Sequence, residues 1–222
     1  MINSLLCVGV PRSGSTWLYR VAQEVQKATG LYLDVRKSHH LPSDHMCHDV
    51  VYIHRDMLDV AGSIHLMAGL RGGDLAQRMV TIRLNHEAAL EELDDVMDGG
   101  THLILRYEKM YPRPVRAVRR VLDYMVGTTA LAGLCDPKRI AKRVSIEATQ
   151  KKMRSLGATR AEVQGGPANE KRRAILEGSV DKGTQIHGNH VSKHRGSPKR
   201  GRSILESIGD DTLTRVEEVL YG

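Results

Sequence analysis

The sequence predicts an α/β domain of three layers, a central parallel sheet flanked by helices, in one unit spanning residues 1–222. Three observations carry that reading. Short apolar runs alternate with stretches of helical period. Each apolar run ends in polar and basic residues suited to loops at one sheet edge. A length of 222 residues is enough for one sizeable core.

Composition narrows the choice. The hydrophobic fraction is 41% and Phe is absent, so Leu, Val, Ile and Met must fill the interior. A net charge of +7 points to an anionic partner. Cys7, Cys47 and Cys135 are scattered, which argues against a disulfide framework and fits a reducing, cytoplasmic setting. The N-terminus has no basic n-region, and no apolar run approaches about 18 residues, so neither a signal peptide nor a membrane span is expected.

The first apolar run, Leu5 to Val10, stops at Pro11-Arg12-Ser13-Gly14, and a helical pattern follows from Thr16 to Thr29, ended by Gly30. Strand, tight loop and helix start form an anion cradle, because N–H groups at a helix N-terminus lack intrahelical partners and sit at the positive end of the dipole. Gly14 lets the backbone close; Ser13, Ser15 and Thr16 add hydroxyls, and Arg12 adds charge. Gly9 and Gly14 bracket four residues, as in the nucleotide P-loop G-x-x-x-x-G-K-[ST], so the domain reads as P-loop-like. Ser15 stands where that motif has Lys, and no strand ends in a metal-binding Asp. Metal-assisted nucleotide hydrolysis is therefore disfavoured.

A second strand is expected over Leu31–Val35, delivering Arg36-Lys37-Ser38-His39-His40-Leu41-Pro42 to a loop. His39, His40, His45, Cys47 and His48 are also metal-ligand types, which keeps zinc open beside solvated loop histidines; no second ligand cluster follows. Asp49 to Ile53 reads as a third, buried strand running into His54-Arg55-Asp56, and Arg55 and Ser63 can point at one anion. The helix after it is expected to break at Gly72-Gly73, before a long amphipathic helix over Asp74–Met97. Thr101 to Glu108 gives a fourth strand; Pro112 and Pro114 start a helix over Val115–Val126. Residues 136–202 are basic and loop-rich, with 17 Lys/Arg against 5 Asp/Glu between 138 and 202. That run has an RNA-binding reading, disfavoured because it holds no aromatic residue for base stacking. Ser203 is expected to cap a final helix, Ile204–Leu220.

Val10-Pro11-Arg12-Ser13-Gly14-Ser15-Thr16-Trp17 resembles the 5′-phosphosulfate loop, P-[KR]-S-G-[ST]-T-W, of sulfotransferases that use 3′-phosphoadenosine 5′-phosphosulfate (PAPS). Lys37-Ser38-His39 resembles the family's K-[ST]-H segment, whose His is the catalytic base, and His40-Leu41-Pro42 its following L-P with one residue too many. The resemblance thus implies His39 as base, with His40 as second choice, and Lys37 and Arg12 as catalytic cations. Arg55, Asp59 and Ser63 fall at the spacing of its 3′-phosphate motif, R-[ND]-P-x-D-x-x-x-S, with Met57 in place of Pro. Leu105 to Glu108 resembles its L-x-Y-E segment, whose Tyr, here Tyr107, approaches the adenine. His187, Gly188 and Arg195 lie in a divergent form of its R-K-G-x-x-G-x-W-[KR] loop, and Trp17 would offer the adenine a face.

The resemblance implies PAPS as cosubstrate, 3′,5′-bisphosphoadenosine (PAP) as product, no metal, and a small-molecule or glycan acceptor that the basic balance allows to be anionic. Two rivals remain: a P-loop small-molecule kinase, and a non-catalytic nucleotide- or RNA-binding protein.

Overall fold

In the computed structural model, residues 4–95, 102–127, 133–148, 180–181, 186–187, 200–209 and 211–222 are described. Strand β1 (Ser4–Val8) leads into helix α1 (Ser15–Thr29), then β2 (Asp34–Ser38), a 3₁₀ turn at His45–Cys47, and β3 (Asp49–His54). Helices α2 (Met57–Ala68) and α3 (Gly72–Asp95) follow, then β4 (His102–Arg106), α4 (Tyr107–Met110), α5 (Pro114–Val126) and α6 (Pro137–Arg143). Two-residue strands β5 (Val180–Asp181) and β6 (Ile186–His187) pair antiparallel, and α7 (Gly201–Glu206) and α8 (Thr212–Tyr221) close the described chain.

The four main strands are parallel, in the order β2-β1-β3-β4. From β1 the chain first goes to one neighbour, β2, and then to the other, β3. Loops leaving β1 and β3 therefore diverge at a topological switch point, the place where open parallel sheets bind ligands.

Strand alternation assigns the faces. Leu5, Cys7, Val51, Ile53 and Leu105 pack against Leu18, Val21 and Val25 of α1 and Val118 and Val121 of α5. Leu6, Val8, Val50 and Tyr52 point the other way, onto Ala89 and Leu93 of α3. A further cluster binds α2 and α3 to the C-terminal helices through Leu58, Ile64, Leu75, Met79, Ile82, Leu205 and Val216. Each such side chain, removed from water, contributes about 2 kcal/mol. Methionines 79, 110 and 125 occupy core positions in a chain that has no Phe.

Four elements depart from the sequence-based expectation. Strand β2 starts at Asp34, three residues late, because Tyr32 is fully exposed and the ladder with β1 runs Ser4↔Asp34 to Val8↔Ser38. Lys37 consequently stands on the strand, fixed by register, while the outward Asp34 and Arg36 pair at 2.7 Å on the sheet's open edge. Helix α2 ends at Gly69, whose left-handed φ of 69° caps it; Gly72 and Gly73 begin α3 instead. Strand β4 stops at Arg106 and Tyr107 opens a helical turn. The final helix is two helices, interrupted at Gly209 (φ 78°), with Ser203 inside α7 rather than capping it. In the segment expected as loop, His187 lies in β6, and Gly188 and Arg195 fall outside the described residues.

Candidate functional site

The loop between β1 and α1 is tight. Ser13 N–H donates to the Val10 carbonyl at 3.1 Å, and Arg12 takes a left-handed φ of 71°, costly for a residue with a side chain. Gly14 follows at φ 107° as the N-cap of α1, its carbonyl accepting from Leu18 N–H. The N–H groups of Ser15, Thr16 and Trp17 meet no acceptor among the described residues, as expected for a helix start. Added Cβ atoms show why the glycines are needed: at Gly9 one would stand 2.5 Å from the Ile53 carbonyl oxygen, and at Gly14 2.9 Å from the Tyr107 ring.

The hydroxyls divide. Thr16 Oγ1 accepts from Lys37 Nζ at 3.1 Å, which draws the strand's lysine to the helix start. Ser13 is enclosed beneath the loop, its Oγ without a partner among the described residues, and Ser15 is buried. Burial lowers the Lys37 pKa from its ordinary value, since a desolvated ammonium is disfavoured.

His39 leaves β2 beside the same loop, with Nδ1 3.0 Å from the Gly9 carbonyl oxygen. That contact makes Nδ1 the protonated nitrogen of the neutral ring and leaves Nε2 as acceptor. Desolvation holds its pKa below the usual histidine value; the Gly9 carbonyl opposes this, and the charges of Lys37, His40 and Arg12 reinforce it. His40 is exposed, its backbone tied to Ser38 Oγ.

His45 and His48 are tied into the local structure. His45 is buried with Nδ1 on the Pro42 carbonyl, and His48 Nδ1 lies 2.7 Å from Ser4 Oγ. Among the described residues no group of three or more His, Cys, Asp or Glu could hold a metal ion. The three cysteines are free.

A second cationic centre stands at the end of β3. Arg55 is only 5% exposed, so its charge must be met by neighbours. Its Nη1 donates to the Arg12 carbonyl at 3.3 Å, Nη2 lies 3.7 Å from Asp59 Oδ2, and the guanidinium carbon sits 4.6 Å above the Tyr107 ring. Arg12 in turn donates from Nε to Ser63 Oγ at 2.9 Å. Asp56 caps α2 by accepting from Leu58 and Asp59 N–H, and Glu108 fixes Asp56 through its backbone N–H. Burial pushes the Tyr107 phenol up to about 12.

Arg12, Ser63, Arg55 and Tyr107 thus form one contact chain, and Lys37, Thr16 and His39 gather at the loop's other side. Trp17 packs partly buried against the main core. Sequence reasoning missed Arg200 and Gly201, whose N–H groups both reach Asp59 Oδ1. The available signal was Lys199-Arg200-Gly201, two cations before a glycine.

This is an α/β protein whose β1–α1 loop and helix start lie at the switch point of a parallel sheet. No protein-family model matches the chain, and no curated protein matches it. Solved structures do. Retinol dehydratase in complex with androsterone and the inactive cofactor PAP superposes with a TM-score of 0.59 at 15% identity, covering 98% of this chain and 80% of that one. Retinol dehydratase with retinol and PAP gives 0.58 at 13%, covering 98% and 81%. A mouse sulfotransferase, SULT7A1, complexed with PAP gives 0.54 at 14%, covering 98% and 82%. The chain has the sulfotransferase fold.

Proposed function

We propose that this protein is a sulfotransferase that moves a sulfuryl group from PAPS to a hydroxyl or amine of its acceptor. The observation carrying this is Arg12, which spans two anion seats: it belongs to the cradle at α1 and is held by Ser63 and Arg55 of the second centre. A ligand with two separated anionic groups suits such a pair. The donor set fits it, with open N–H groups at the start of α1 and the Arg12, Lys37 and Arg55 cations around them.

PAPS would supply the activated sulfuryl group and the bisphosphate leaving group. The α1 N-terminus and Arg12 would bind its 5′ end, with Arg12 offsetting charge on the bridging oxygen as that bond breaks. Lys37, steered by Thr16, would donate to the sulfuryl oxygens. His39 would accept the acceptor's proton at Nε2, its Nδ1–H being engaged by Gly9. Arg55 and Ser63 would hold the 3′-phosphate, and Tyr107 and Trp17 would flank the adenine. The scheme requires no metal.

The androsterone and retinol complexes of the fold relatives support a small-molecule acceptor. Three free cysteines suit the cytoplasm. Among the described residues no helix is long and apolar enough to cross a membrane.

Thermal-shift titration tests the reading: PAP should raise Tm without magnesium. A response to Mg-ATP alone would overturn it, and a PAP response without transfer from labelled PAPS to any of a panel of phenols, sugars, amines and lipids would leave a binding protein.

A further inference from the structure

We infer that Asp59 is the positioning residue of the Arg55 centre. This rests on the functional reading above and extends it to a side chain that touches no reacting group. Asp59 is 3% exposed, in the first turn of α2, and its two oxygens do different work. Oδ1 accepts from Arg200 N–H at 2.8 Å and Gly201 N–H at 2.7 Å, contacts that bring in the chain from 141 and 142 residues away. Oδ2 lies 3.7 Å from Arg55 Nη2.

The other sides of Arg55 are already defined by the Tyr107 ring and the Arg12 carbonyl. Asp59 holds the Nη2 edge, so the guanidinium is aimed before any anion arrives. Glycine at 201 makes the arrangement feasible: a Cβ there would overlap the Leu58 carbonyl, and one at Gly62 would come within 2.9 Å of Gly201 Cα. Close approach of α7 to α2 is what lets two backbone N–H groups reach one carboxylate oxygen. The acid therefore ties the orientation of Arg55 to the docking of the C-terminal helices, and cosubstrate affinity depends on both.

Asp59→Asn separates these duties. Its amide oxygen still accepts from Arg200 and Gly201, so α7 stays docked. Its amide nitrogen then faces Arg55 donor to donor and turns the guanidinium away. Calorimetric titration with PAP should show Kd raised about tenfold or more, and KM for PAPS should rise in parallel. The acceptor KM should stay within about twofold of wild type. Asp59→Glu keeps the charge but is one methylene too long to serve both partners, and should raise Kd likewise. Titration counts only folded, binding-competent protein, so a lowered Tm cannot imitate the effect. If both variants bind PAP within about twofold of a wild type that binds it, Asp59 is structural only and this inference is overturned while the functional reading stands. A wild-type chain that does not bind PAP overturns both.

Discussion

Arg12 Nε donates to Ser63 Oγ at 2.9 Å across 51 residues of sequence, joining the loop after β1 to the helix after β3. The bond fixes a side chain whose own backbone is in the left-handed region, and the Arg55 contact to the Arg12 carbonyl fixes that backbone from the other side. The loop after β1 and the start of α2 are therefore one mechanical unit.

Ser63→Ala removes the acceptor and frees Arg12. PAP Kd should rise about tenfold, the weight of a hydrogen bond to a charged group. Arg12→Lys loses Nε and should weaken binding as well, and the double variant should fall short of the sum by about 1 kcal/mol. Strict additivity in that cycle would show the two residues to be independent.

With His39 as the base proposed above, its lowered pKa sets the expected pH profile. A base protonated below its pKa loses activity on the acid side, so kcat/KM should rise with pH through a midpoint below about 6.5, the unperturbed histidine value. His39→Ala should remove that limb and cut turnover about a hundredfold or more, and His40→Ala should retain both limb and rate. Loss of activity in His40→Ala with wild-type turnover in His39→Ala would reverse the assignment.

Gly14→Ala should be damaging for two separate reasons, a φ of 107° and a Cβ 2.9 Å from the Tyr107 ring. Denaturant unfolding should show a loss of about 1–3 kcal/mol, and PAP binding should weaken with it because the start of α1 shifts. Gly30→Ala provides the control: φ is left-handed there too, at 67°, but no atom lies within 4 Å of the added Cβ, so it should destabilise without affecting PAP.

His86 gives the acid limb of stability. It accepts from or donates to the Tyr52 hydroxyl at 2.6 Å and stacks on His54; burial, then the His54 charge, lowers its pKa to about 4. The fold thus favours neutral His86. Its stabilising contribution is complete above the unfolded value near 6.5 and is lost as pH falls toward 4. His86→Gln keeps a partner for Tyr52 and should flatten unfolding free energy across pH 7 to 4.5. An unchanged slope would place the acid sensitivity elsewhere.

Local chemistry was legible in the sequence where it depends on neighbours along the chain. Gly9 to Thr16 announces strand, cradle and helix because turn geometry and helix starts are written in consecutive residues. The spacing of Arg55 and Ser63 was readable because both ride on one strand end and one helix. The extent of β2 was not, since an edge strand is bounded by its partner: the ladder to β1, not the alternation of Leu31 to Val35, decides where it starts. The break at Gly209 was missed for a similar reason, as α7 and α8 pack on different neighbours and no single helical period describes them.

The sequence by itself determined the α/β class, the cradle and the cationic residues that surround it, because periodicity, glycine placement and charge are properties of the chain. Only the tertiary structure decided that Arg12 leans on Ser63, that His39 rather than His40 meets Gly9, and that Asp59 holds the Arg200–Gly201 backbone. Those contacts join residues from about 30 to 142 positions apart, and their geometry exists only once the sheet order β2-β1-β3-β4 brings the loop ends to one edge.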